Sequence, residues 1–340
     1  MARRLSRRSV VSGAGALGLA ALPSRGARAA DFYRGKTLTL IVGFAPGGGV
    51  DTEARTIARH LVRFIPGQPG VIIQNMEGAA GALATNYLNQ RAAPDGLTVS
   101  TPGRSWFVDG IVRGPTIGFD PTRFTYIGSA GGSNSVAYVR AATGIKTLDD
   151  LKASRQTVAF GSLASTTPTA MVPQMLAGLG LPIRVVLGYV STARVLVALE
   201  QGEIDAMFTV VDSFARRQDL IANRIVVPIL QSKGGLPGLP LVRDLLPRRD
   251  QPLLTLVMGT DNFGLPLVGP PGMASEPTEI LRKAFVDMAA DKDYQADAAK
   301  ANLPVGAPLD GVQLTAMINE LAASATPEVI AAYRRLGAAK

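Results

Sequence analysis

Twice in close succession this chain reads strand, glycine turn, helix start, an order that belongs to layered α/β folds. The apolar run Leu38–Val42 leads into Phe44-Ala45-Pro46-Gly47-Gly48-Gly49-Val50-Asp51 and a helix predicted over Asp51–Ile65. Ala54, Ile57, Ala58, Leu61 and Ile65 share one face of that helix, while Glu53, Arg55, Arg59 and Arg63 take the other. Pro66-Gly67-Gln68-Pro69-Gly70 ends it. A second run, Val71–Gln74, leads into Glu77-Gly78-Ala79-Ala80-Gly81 and a helix predicted over Ala82–Arg91. The first N–H groups of a helix have no intrahelical partner and lie at the positive end of its dipole. Two such corners predict a shared pocket for something small and negatively charged.

Residues 1–29 stand apart from this pattern. Arg3, Arg4, Arg7 and Arg8 precede a weakly apolar stretch, Val10–Leu22, and small residues at Ala27 and Ala29. This is expected to be an export signal, too short and glycine-rich to anchor in a membrane. Ser6-Arg7-Arg8-Ser9-Val10-Val11 resembles a twin-arginine signal, with an ordinary arginine-rich secretion signal as the alternative. Either places the mature chain outside the cytoplasm, in the periplasm of a bacterium. The signal carries six Arg and no acidic residue, so its removal takes the net charge from +9 to +3. The remaining basic residues are scattered, with one Trp and no aromatic interleaving, which excludes a nucleic-acid surface. With no Cys and one His, thiolate chemistry, disulfides, and cysteine or multi-histidine metal sites are excluded, and no cofactor is expected. No later apolar run approaches the ~18 residues of a membrane span.

The alternation continues and predicts mainly parallel sheets in two domains. Further strands are expected at Leu97–Thr101, Phe124–Ser129, Val136–Arg140, Thr157–Phe160, Val185–Leu187 and Ile204–Phe208. Helices are expected from the capped start Thr147-Leu148-Asp149-Asp150, near Thr167–Leu179, at Thr192–Gln201, and finally at Glu276–Ala290, Val312–Ala325 and Pro327–Leu336. The Pro- and Gly-rich stretch Lys233–Pro252 marks a crossing between domains.

Gly47–Gly49 is not a Walker A loop, because Val50-Asp51 stand where Lys and Ser or Thr are needed. The dinucleotide spacing at Gly13–Gly18 lies inside the signal with no strand before it. The expected anion is therefore a carboxylate, held by N–H groups around Gly47–Val50 and Gly78–Gly81. Asp51 fits two compatible roles: helix N-cap, or orientation of a water or of a ligand hydroxyl or amino group. A third corner, Gly161-Ser162-Leu163-Ala164-Ser165-Thr166-Thr167, offers hydroxyl and N–H donors or simply an ST-rich cap. Tyr189 can reach across a cleft or serve as a structural aromatic. Four or five donors at ~1.5–3 kcal/mol each, less the costs of association, reach the ~8 kcal/mol of a micromolar complex. Catalysis finds less support. His60 is expected to be exposed or half-buried on the first helix, no Gly-x-Ser-x-Gly elbow occurs, and Glu203 and Asp205 have no partner base.

The corner blocks resemble those of the Bug-type extracytoplasmic solute receptors of tripartite tricarboxylate transporters. Tyr33-Arg34-Gly35-Lys36, Leu40–Asp51, Asn75–Gly81, Pro94-Asp95-Gly96, Phe119-Asp120-Pro121, Phe124–Gly128 and Pro270-Pro271-Gly272 carry the likeness over nearly all of the chain after the signal. It implies a type II periplasmic-binding-protein fold: two α/β domains with a ligand cleft between them. Domain 1 would comprise 30–130 with 250–340, and domain 2 131–249. It implies binding of a small carboxylate through Phe44, Pro46, Gly47, Gly48, Asp51, Gly78, Ala79, Ala80 and Gly81, with Ser162, Ser165, Thr166, Thr167 and Tyr189 closing from domain 2. The implied partners are membrane transporter subunits, with a signalling receptor as the alternative, and the chain would act as a monomer and not as an enzyme. Departures concentrate at the selecting end. Glu77 and Ala80 replace a proline and a glycine, the third corner lacks two glycines, and Val190-Ser191 stand where Lys-Gly is usual.

Overall fold

The computed structural model describes residues 32–78, 81–214, 217–301, 303 and 308–338. The expected export signal lies outside the described residues, as do Ala79 and Ala80. Two mixed sheets organise the chain. Strands β1 (Thr37–Val42), β2 (Gly70–Asn75), β3 (Thr98–Thr101), β4 (Thr125–Ser129), β10 (Pro266–Gly269) and β11 (Leu309–Asp310) form the first, in the order β11-β4-β10-β3-β1-β2. Strands β5 (Ser135–Arg140), β6 (Val158–Gly161), β7 (Ile183–Val186), β8 (Ala206–Val210) and β9 (Val226–Gln231) form the second, in the order β7-β6-β8-β5-β9.

The helices are α1 (Gly49–Phe64), α2 (Ala82–Gln90), α3 (Trp106–Arg113), α4 (Leu148–Ala153), α5 (Pro168–Gly178), α6 (Thr192–Gln201) and α7 (Gln218–Ala222). After the second sheet come α8 (Val242–Leu245), α9 (Gln251–Val257), α10 (Gly259–Phe263), α11 (Ser275–Ala290), α12 (Lys292–Lys300), α13 (Gly311–Ser324) and α14 (Pro327–Ala338). Both sheets are covered on both faces, which is why β6 and β10 are buried throughout rather than alternating, whereas β2 at the edge of the first sheet alternates. Under the first sheet, Ile57 and Leu61 of α1 pack with Leu281, Phe285 and Met288 of α11. Its other face holds Trp106, Phe107, Phe124, Tyr126 and Ile318. The second sheet is sandwiched in the same way, by Met171 and Leu176 on one side and Val195, Leu199 and Phe214 on the other.

The sheets are not mainly parallel. β1 pairs in parallel with β2 and β3, and β6 with β7 and β8, but β10 runs antiparallel to both β3 and β4, and β5 runs antiparallel to both β8 and β9. The antiparallel strands stand where the chain changes sheets. It leaves the first at Ser129 and enters the second at Ser135, then leaves at Gln231 and returns at Pro266, paired with Ser129. This fixes which ends face the junction. β4 runs with β3, and β3 with β1 and β2, so the C-terminal ends of all four lie on the crossing side. Val210 sits opposite Ser135, so the C-terminal ends of β6, β7 and β8 face the junction from the other sheet. In open α/β sheets that edge is where ligands bind.

Residues after 250 do not all return to the first sheet. Leu254, Val257 and Met258 pack into the second sheet's core, while Leu256, one residue before Val257, packs into the first's. α14 also touches both, through Val329, Ile330 and Tyr333 on one side and Tyr333 and Leu336 on the other.

Candidate functional site

The first corner is braced by Asp51. Its carboxylate is 1% exposed, and one oxygen accepts from Gly47 N–H at 2.8 Å and from Arg55 Nε at 2.7 Å. The other accepts from Asn75 Nδ2 at 2.8 Å, and the same amide donates to Phe44 O at 2.8 Å. The N-cap role expected for Asp51 is corrected here: Gly48 is the N-cap and has no side-chain cap bond, and Asp51 lies in the first turn. Burial pushes the Asp51 carboxyl up, but donation from Arg55, Asn75 and Gly47 outweighs it and holds the group below its ordinary value. The bracing engages Gly47 N–H, leaving the first-turn N–H groups of α1 (Gly49 and Val50) and that of Gly48 pointing off its N-terminus, since the first intrahelical acceptor, Gly48 O, takes Thr52 N–H.

The second corner meets the first. Gly78 and Gly81 have φ of 145° and 94°, a region that favours glycine. Gly81 N–H donates to Gly78 O at 3.0 Å, and Gly81 is the N-cap of α2. A Cβ on Gly81 would lie 1.8 Å from Pro102 O, and one on Gly43 2.4 Å from the same oxygen and 3.0 Å from Gly81 Cα. The residues just past β1 and β3, Gly43 and Pro102, are thus packed main chain against main chain with Gly81 at the start of α2. Phe44 is half-buried beside Gly81, while Pro46, Gly47 and Gly48 are exposed.

The corner after β3 was not singled out from the sequence, and it carries a cation. Arg104 pairs with Glu53 of α1, which is 1% exposed although its spacing assigned it to the solvent side. The charge of Arg104 also reaches Asp261 at the return crossing. Asp261 accepts from Ser135 Oγ at 2.5 Å across the junction; burial raises its carboxyl against this bond, one from Thr260, and the charges of Lys233 and Arg104. The signal was available: Leu97–Thr101 followed by Pro102-Gly103-Arg104-Ser105 repeats the strand, turn and helix order of the first two corners.

On the second sheet, Ser162 is fully buried, its hydroxyl 2.5 Å from Thr169 Oγ1 and 3.3 Å from Thr167 Oγ1. Thr167 donates to Ala164 O at 2.7 Å. Ser165 donates to Gly337 O of α14 at 2.5 Å, and Thr166 packs on Gly337. The hydroxyls of Ser162, Ser165 and Thr167 are engaged within the corner or by α14, and Thr166 is exposed. Tyr189 is half-buried against the core beside Gly161, and the next residue, Val190, is 85% exposed. His60 is buried, neither exposed nor half-buried as expected: Nε2 lies 3.0 Å from Asp297 and Nδ1 3.0 Å from Arg63, on the far half of α1. Asp205 accepts from Ala159 N–H at 2.9 Å and is structural.

Comparison with known proteins agrees with this architecture. The model of the tripartite tricarboxylate transporter family receptor matches residues 54–223. A Cupriavidus necator protein, described as the UPF0065 protein in the gbd 5′ region, is 30% identical over 181 residues, 51% of this chain and 52% of that one, so the match spans about half of that relative's length. A TctC solute-binding protein from Polaromonas superposes with a TM-score of 0.68 at 17% identity, covering 89% of this chain and 98% of that one. MatC from Rhodopseudomonas palustris, solved with bound malate, gives 0.55 at 19%, covering 89% and 99%. At these identities the structures speak for the fold, that of the two-lobed periplasmic solute-binding proteins. The chain belongs to the receptor family of the tripartite tricarboxylate transporters.

Proposed function

We propose that this chain is a periplasmic receptor that takes a small carboxylate between its two sheets and delivers it to the membrane subunits of a tripartite tricarboxylate-type transporter. The observation that carries this reading is the contact of Gly43 and Pro102, just past the C-terminal ends of β1 and β3, with Gly81 at the N-cap of α2, on the edge that faces the crossing segments. Backbone N–H groups there approach a carboxylate closely, and a neighbouring Arg104 adds charge. The bound malate of MatC is the same chemistry in a protein of the same fold. The closing bodies are domain 1, 30–130 with 250–340, and domain 2, 131–249, with α9 and α14 spanning their junction.

In this reading Phe44, Pro46, Gly48, Gly78 and Gly81, with Ala79 and Ala80, surround the carboxylate, and Asp51 and Gly47 fix the loop. Ser162, Thr166, Thr167 and Tyr189 belong to the closing side. The protein is a binder and not an enzyme, acts as a monomer, and is exported by its 1–29 signal. The test is thermal unfolding with a panel of mono-, di- and tricarboxylates. A micromolar ligand at a thousand times its Kd stabilises by about 4 kcal/mol, a shift of several degrees in Tm. If no member of the panel moves the Tm, the reading fails.

A further inference from the structure

Beside the two corners of the proposed site stands the one after β3. The strand ends at Thr101, and Pro102-Gly103-Arg104-Ser105 lead into α3. Pro102 O is the oxygen against which both Gly43 and Gly81 are pressed, so this turn touches the other two corners. From it Arg104 reaches back to α1, where its Nη2 donates to Glu53. Side chains on a helix lean toward its N-terminus, so the Glu53 carboxylate and the guanidinium on it lie beside the first-turn N–H groups of Gly49 and Val50. Packing does not call for this pair. The apolar residues that follow on α1, Ile57 and Leu61, are core, and a buried ion pair is often no more stable than apolar side chains of similar volume. The pair is also lopsided: Glu53 is 1% exposed and Arg104 36%.

Arg104 has donors to spare. The other guanidinium at these corners, that of Arg55, is turned to the bracing, with Nε on Asp51 and Nη2 on Asn75. Of the Arg104 nitrogens, Nη2 alone donates to a described residue. Glu53 and Asp261 offset its charge, so what it adds is directional hydrogen bonding. Thr101 is a second sign that a polar group completes this corner. It is fully buried, and its Oγ1 has no hydrogen-bond partner among the described residues.

We propose that Arg104 donates to the bound carboxylate through Nε or Nη1, and that Glu53 is the positioning residue that holds the guanidinium there. The site then has three arms: the N–H groups of the first corner, those of the second, and the guanidinium after β3. This rests on the carboxylate-receptor reading above and deepens it.

Titration calorimetry of the purified protein with acetate, benzoate, malate and citrate tests it, the tightest of the four serving to compare variants. Arg104→Gln is expected to weaken binding at least tenfold. It leaves the Glu53 carboxylate without its cation, so the double variant Glu53→Gln/Arg104→Gln, uncharged at both positions, is measured beside it. The double variant is expected to unfold as cooperatively as wild type and to show the same loss of affinity. Glu53→Gln alone should weaken binding at least threefold and add nothing once Arg104 is replaced, a non-additivity that a merely structural role would not produce. A loss below tenfold in the double variant overturns the contact and leaves the receptor reading standing. Equal effects of Glu53→Gln with and without Arg104 overturn the positioning role. Silence of wild type toward all four, and toward the wider carboxylate panel, overturns the receptor reading and this proposal together.

Discussion

Asp51 shows how much one buried carboxylate can organise. Three donors, Gly47 N–H, Arg55 and Asn75, converge on its two oxygens. An amide in its place has one acceptor oxygen, so in either orientation its NH2 faces a donor. Asp51→Asn is therefore expected to lose about 1–3 kcal/mol of stability at pH 7, read by urea unfolding. The folded carboxyl titrates below its ordinary value, so its contribution is complete above about pH 4 and is lost as pH falls through the folded value. The gap between wild type and variant should accordingly shrink below pH 4. A gap that is constant down to pH 3, or absent at pH 7, would show that the three bonds do not stabilise the corner.

The corners themselves are strand ends pressed against one another, and Gly81 is where the pressing is tightest. Its φ of 94° alone costs a residue with a Cβ about 1–3 kcal/mol, and the 1.8 Å approach to Pro102 O adds to that. Gly81→Ala should lower the unfolding free energy by at least this much, and a variant as stable as wild type would refute the packing. These corners were legible in sequence because glycine, an apolar run and a helical period meet locally. The bounds of α6, Thr192–Gln201, were read without error for the same reason. The antiparallel pairing was not: a strand was expected at Val136–Arg140, where β5 lies, but not its direction, and β10 was not expected at all. β10 is four residues, Pro266–Gly269, flanked by Gly and Pro, and its partners β3 and β4 lie more than a hundred residues away. Glu53 failed similarly, since periodicity on α1 cannot announce that Arg104 will arrive to cover it. For the third corner, read either as ligand donors or as an ST-rich cap, the loop sequence does not reveal that α14 takes the Ser165 hydroxyl.

Between the two sheets, α14 acts as a strap. Arg334 donates to Val112 O of α3 at 2.5 Å, and Gly337 O receives Ser165 from the other side. Arg334→Ala should free the first attachment and speed amide exchange over 327–338 about tenfold, roughly 1.4 kcal/mol of lost protection. Unchanged exchange there would mean that apolar packing of Tyr333 and Leu336 holds the helix alone. The contrast between the two sides of the junction has a genetic consequence. In the proposed receptor, a hold built from peptide N–H groups offers no side chain to delete, so a mutational scan of 44–51 and 78–81 is expected to uncover Asp51 and Gly81, the bracing, and to pass over the proposed contacts. Across the junction the residues proposed for the closing side include the exposed Thr166 and the half-buried Thr167 and Tyr189. On that proposal, single codon changes there can alter what the receptor accepts without disturbing the first-sheet corners, so a lineage of such receptors can exchange one nutrient for another while inheriting the same hold on its carboxylate.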